Sequence, residues 1–184
     1  YKMKINIFSI FLIIFCIFLS ACEGLVYPDL SGQKKVLYIE ITVDNNTTWL
    51  TERILRYESQ DAMNQWNNVE CNPYFFKIRA NFEEPLHGKI IWESHWQYEP
   101  SVLASIEDDD GLTVIRLNAS KFWSDGHDLL YVLLHELGHY LGLCHSDNEN
   151  AVMYSESGDH AMEETKKQLH QSDKDALCAE YPIE

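Results

Sequence analysis

An α+β fold, with five strands, two long helices and a shorter C-terminal helix, is predicted by three observations in this 184-residue chain. Apolar residues alternate over Val36–Val43; they recur at helical spacing over Leu50–Val69 and Asp128–Leu143; and four short β-rich runs lie between the two helical patterns. With 46% of its residues apolar, the chain has material for one sizeable core and little length for a second.

The first segment reads as a processing signal. Lys2 and Lys4 provide a positive end, and Ile10–Leu19 is an unbroken apolar run, too short to span a bilayer comfortably. Leu19-Ser20-Ala21-Cys22 resembles the lipobox of bacterial lipoproteins, which implies cleavage before Cys22 and a lipid anchor on its sulfur. Residues 1–21 are thus expected to be a signal peptide, and 22–35, with Gly24, Pro28 and Gly32, the lipidated N-terminus and tether. Residues 36–184 are expected to form the folded domain, exported and held at a bacterial envelope. Its acidity also restricts partners. Fourteen basic residues stand against 29 acidic ones, a formal charge of −15, and no run of Lys or Arg exceeds a pair, so the electrostatic footprint of a nucleic-acid binder is missing.

In Val36–Val43, Leu37, Ile39, Ile41 and Val43 face one way and Tyr38, Glu40 and Thr42 the other, which defines a half-buried strand. Ile54, Leu55, Ala62, Trp66 and Val69 then mark the buried stripe of a long helix that Asn72-Pro73 ends. Strands follow at Tyr74–Ala80, Gly88–Glu93, Val102–Ile106 and Leu112–Leu117. The second helix, Asp128–Leu143, takes Ser124 or Asp125 as its N-cap, and a third is expected near Ser172–Glu180.

The chemistry is carried by "HELGHYLGLCHS", residues 135–146. Residues four apart share a helix face, so His135 and His139 direct two imidazoles at one point. Gly142 tolerates the left-handed conformation that ends a helix, which allows the chain to return His145 to the same point. Three imidazoles and an open position suit a catalytic zinc, and three such groups with a carboxylate in an apolar helix would be costly to bury without an ion. Glu136, beside the first ligand, is the candidate general base.

This run matches H-E-x-x-H-x-x-G-x-x-H and resembles the metzincin metallopeptidases. His145-Ser146, with Met153 eight residues after that histidine, looks like the matrixin branch, the family of matrix metalloproteinases. Over about residues 36–181 the resemblance implies a zincin-like catalytic domain with a twisted mixed five-stranded sheet. It also implies a structural methionine turn at Met153, a protein or peptide substrate, and one catalytic Zn²⁺ on His135, His139 and His145. "AMNQWNNV" (62–69) is similar to the end of the family's first helix and "VLASI" (102–106) to its edge strand. By that resemblance the backbone of Leu103 and Ala104 adds substrate as an extra strand, and Tyr131 forms part of an apolar specificity pocket.

Departures bear on further ions. The family's second, structural zinc uses a histidine-glycine-aspartate stretch and a strand histidine, but Lys89 follows His87-Gly88 and Ser105 stands in the strand, so that zinc is not expected. Glu107–Gly111 carries residue types that bind calcium, yet a solvated turn between strands explains them more simply, and no calcium is assigned. His87, His95, His127, His160 and His170 show no ligand spacing and are taken as surface residues. Cys71, Cys144 and Cys178 permit three disulfide pairings, with one thiol left over. We expect a monomer. The alternative reading is a non-catalytic zinc-binding surface lipoprotein, for which a base beside an open coordination position would have no use.

Overall fold

The structure, a computed structural model, describes residues 34–44, 49–98, 102–120, 129–154 and 167–183. The expected signal peptide and lipid-anchor Cys22, the expected caps Ser124 and Asp125, and His127 and His160 lie outside these residues. Eight elements follow in the predicted order: β1 (Lys35–Val43), α1 (Trp49–Asn67), β2 (Tyr74–Ile78), β3 (Gly88–Glu93), β4 (Ala104–Asp109), β5 (Leu112–Asn118), α2 (Leu129–Tyr140) and α3 (Gln171–Glu180). Among the described residues no helix is long and apolar enough to cross a membrane.

The sheet is mixed, in the order β2-β1-β3-β5-β4, with β4 alone antiparallel. Alternation decides which face is covered. Leu37, Ile39 and Ile41 of β1 and Ile90 and Trp92 of β3 are buried, whereas Tyr38, Glu40 and Thr42 keep partial exposure. The helices cover that apolar face, and α1 packs along α2. Trp66, fully buried, donates its indole N–H to the Leu134 carbonyl at 2.9 Å, so the helix pair is pinned by a polar bond inside the core.

α1 stops two residues before the expected Val69. Asn67 turns its amide onto β2, donating to Phe76 O at 2.8 Å and accepting from Phe76 N at 2.7 Å, which occupies both backbone groups of that strand residue. Asn72 then accepts from Tyr74 N, and the strand starts there. A disulfide joins Cys71, between α1 and β2, to Cys178 of α3, and Cys144 is disulfide-bonded as well, so the expected leftover thiol does not occur.

β4 corrects the predicted strand. It runs over Ala104–Asp109 instead of Val102–Ile106, and the turn shrinks to Asp110-Gly111, both at positive φ. That two-residue turn matches the twist of a hairpin, and it leaves Asp109 opposite Leu112.

Candidate metal centre

α2 is nearly all apolar because it is buried nearly all round, and among its residues Glu136 is only 8% exposed. Its end is set by Gly142, at φ 89°. Leu143 N donates to Gly138 O at 3.0 Å and Gly142 N to His139 O at 2.9 Å, the two bonds of a Schellman closure. Any side chain at 142 would be strained, so the glycine is what reverses the chain and brings His145 back to the helix.

The three Nε2 atoms lie 3.1 Å (His135–His139), 3.2 Å (His139–His145) and 3.3 Å (His135–His145) apart. Zn–N bonds of about 2.0–2.1 Å at tetrahedral angles require ligand nitrogens about 3.3–3.4 Å apart, so the triangle fits zinc closely. His135, His139 and His145 would hold such an ion through these nitrogens, and it would supply Lewis acidity there. Protonation supports the same ion. His135 Nδ1 lies 2.8 Å from Val152 O, and His139 Nδ1 2.8 Å from Leu143 O. A carbonyl only accepts, so both Nδ1 atoms carry protons and both Nε2 atoms are bare lone pairs. Two bare lone pairs 3.1 Å apart repel unless a cation lies between them.

Burial holds the His139 and His145 imidazoles below the ordinary histidine pKa, which keeps them neutral and ready to ligate at neutral pH. Burial also pushes the Glu136 carboxyl up to about 8. A nearby dication acts in the opposite direction and favours the carboxylate.

Met153, 1% exposed, lies beneath α2, and a Cβ at Gly138 would overlap its sulfur. The turn that carries it is held at both ends. Ser146 N donates to Met153 O at 2.7 Å, and the Asp173 carboxylate of α3 accepts from Val152 N at 3.0 Å, Met153 N at 3.0 Å and His170 N at 2.9 Å. Asp173, 1% exposed, thereby fixes the segment whose Val152 carbonyl orients His135. Sequence reasoning missed it. The only local signal is its place three residues after the helix cap, where a carboxylate reaches back to the cap N–H.

Two histidines read as surface residues also accept backbone N–H bonds; His170 is exposed and His87 half-buried. His170 caps α3, accepting from Ser172 N, and His87 Nδ1 accepts from Tyr38 N at 3.1 Å while its carbonyl takes the Tyr140 hydroxyl at 2.8 Å. His95 is exposed. Of the candidate substrate groups, Tyr131 is buried with its ring centroid 6.3 Å from that of His135. The Leu103 carbonyl is bonded to Asn118 N at 2.9 Å, and Ala104 opens β4. Glu107 and Asp108 are engaged within the protein: Glu107 pairs with Arg116, and Asp108 accepts from Gly111 N.

Two imidazoles and a glutamate from one helix, a third imidazole past a glycine, and a methionine turn below are the arrangement that defines the metzincin class. Comparison with known proteins narrows it: the family model described as Matrixin matches residues 33–182, and the chain belongs to that family. Human matrix metalloproteinase-26 is 27% identical over 130 residues, covering 59% of this chain and 49% of that protein. A probable matrix metalloproteinase of Invertebrate iridescent virus 3 is 46% identical over 90 residues, covering 43% of this chain and 23% of the viral protein. Rat matrilysin is 48% identical over 46 residues, 22% of this chain and 17% of its own length. The chain therefore spans about half or less of the length of these relatives.

Proposed function

We propose that this domain is a zinc-dependent endopeptidase. The observation that carries the reading is the convergence of three imidazole Nε2 atoms within 3.3 Å of one another, two of the rings held at Nδ1 by backbone carbonyls, with the buried Glu136 next in sequence to the first. His135, His139 and His145 hold the ion. Zinc, when bound, supplies Lewis acidity towards a peptide carbonyl and lowers the pKa of a water towards about 7. Glu136 accepts the proton of the attacking water and delivers it to the departing amide nitrogen. The Val152 and Leu143 carbonyls hold His135 and His139 in the tautomer that presents Nε2 to the ion.

Substrate binds as an added strand on β4. Antiparallel pairing alternates, and the bond from Asn118 N to Leu103 O places Leu103, Ser105 and Glu107 towards β5. Ala104 and Ile106 then present N–H and C=O to the open edge. Tyr131 lines an apolar pocket for the residue after the cut bond.

The decisive test is Glu136→Gln. Zinc content by metal analysis should match the wild type, while cleavage of a peptide library falls by roughly 10² or more. Equal cleavage by the variant would remove Glu136 as base, and no cleavage by the zinc-loaded wild type would leave a non-catalytic zinc-binding protein. The N-terminal reading is proposed alongside: export, with diacylglycerol on Cys22 as the envelope anchor, detectable as added mass on the mature N-terminus.

A further inference from the structure

The sheet face turned away from α1 and α2 carries a guanidinium that joins three strands. Register sets Arg116 of β5 between Ser105 of β4 and Ile91 of β3, with Glu107 and Glu93 two residues further along the same face. Arg116 Nε donates to Glu107 Oε1 at 2.5 Å and Nη1 to Glu93 Oε2 at 3.1 Å. Tyr98, in the connection from β3 to β4, donates its hydroxyl to the other Glu107 oxygen at 2.8 Å.

β4 needs such support more than its neighbours do. It pairs on one side only, and Glu107, Asp108 and Asp109 are poor strand formers whose charges repel one another. The Arg116 guanidinium foremost, then the Tyr98 hydroxyl, holds the Glu107 carboxyl below the usual carboxylate range. An isolated exposed ion pair contributes little. Here one cation is shared by two carboxylates, each of the three side chains is at most 34% exposed, and a neutral hydroxyl completes the set.

We propose that Arg116 is a positioning residue for substrate: through Glu107, Glu93 and Tyr98 it fixes the edge strand and its entry loop so that Ala104 and Ile106 meet a peptide backbone in register. The inference rests on the endopeptidase reading. The clamp acts on binding of the added strand and leaves the imidazole triangle untouched, so its signature is a split between KM and kcat.

Zinc-loaded wild type, Arg116→Gln and Arg116→Lys would be compared by peptide kinetics, metal analysis and amide hydrogen exchange. Arg116→Gln should raise KM roughly three- to tenfold and keep kcat within about twofold and the zinc content unchanged. Arg116→Lys, which keeps the charge but not the fork, should fall between. Exchange of the β4 amides should quicken by about tenfold while β1 and β3 stay protected. An unchanged KM with active enzyme, or a fall confined to kcat, overturns the proposal. If the wild type cleaves no peptide, the endopeptidase reading fails, and exchange decides the clamp: a change confined to β4 supports it, and none overturns it.

Discussion

Asp173→Asn separates support of the fold from support of the centre. The carboxylate accepts three backbone N–H bonds while 1% exposed, two on Oδ2 and one on Oδ1. An amide of the same shape can leave its oxygen on the Val152 and His170 donors, but its NH₂ then faces the Met153 N–H. One charge-assisted bond is lost and a buried donor is stranded, each costing about 1–3 kcal/mol, so a total near 3 kcal/mol follows. In a domain of this size that lowers Tm by about 6–12 °C. The loss does not stop at stability. The Met153 N–H and the Val152 carbonyl belong to one peptide group, so loss of the Met153 bond loosens the carbonyl that orients His135 Nδ1, and loosening such an outer partner weakens metal binding by about 10- to 100-fold. The assay is thermal unfolding of apo and zinc-loaded protein with a chelator-competition titration. Both Tm values should drop, the gap between them should narrow, and zinc should dissociate more readily. A lowered Tm with unaltered zinc affinity would confine Asp173 to the fold, and unchanged values for both would refute the reasoning.

Two further substitutions probe the surroundings. Gly138→Ala gains about 1 kcal/mol in helix propensity at an ordinary site, but here the methyl would overlap the Met153 sulfur and approach Trp66 Cζ2 to 3.1 Å. Overpacking of about 1–3 kcal/mol outweighs the gain, so a lower urea midpoint is expected, and a higher one would show that Met153 moves aside freely. His87 has its pKa lowered, by burial first and then by the Lys35 charge. A histidine with a depressed folded pKa contributes fully above the unfolded value of about 6.5 and loses that contribution as pH falls below it. Thermal unfolding should therefore weaken from pH 7 to 5, and less steeply in His87→Gln, whose amide oxygen accepts the Tyr38 N–H without titrating; parallel slopes would exclude His87 as a source.

The strands of the core were legible because burial on one face imposes period two on β1 and β3, and the helices because α1 and α2 bury a face or nearly everything. The imidazole triangle was legible because its geometry is local: one turn of helix, one glycine and a short return. Asp173 was not, since its partners lie about 20 residues away and its role appears only when α3 docks on the methionine turn. The limits of β4 were misplaced for a related reason. An acidic run looks like a solvated turn until Tyr98 and Arg116 of the paired strand, each nine residues away, balance Glu107. That His170 and His87 each accept a backbone N–H was not legible, because such a bond leaves no mark in spacing.

The bond between Cys71 and Cys178 closes a covalent ring spanning 107 positions, and that ring encloses His135, Glu136, His139, His145 and Asp173. A single backbone scission anywhere inside it yields a nicked molecule whose two pieces stay joined. In an oxidising compartment one cut inside the ring therefore does not separate the two pieces. In a reducing one, the same cut lets α3 leave and take Asp173, the anchor of the turn that carries Met153, with it.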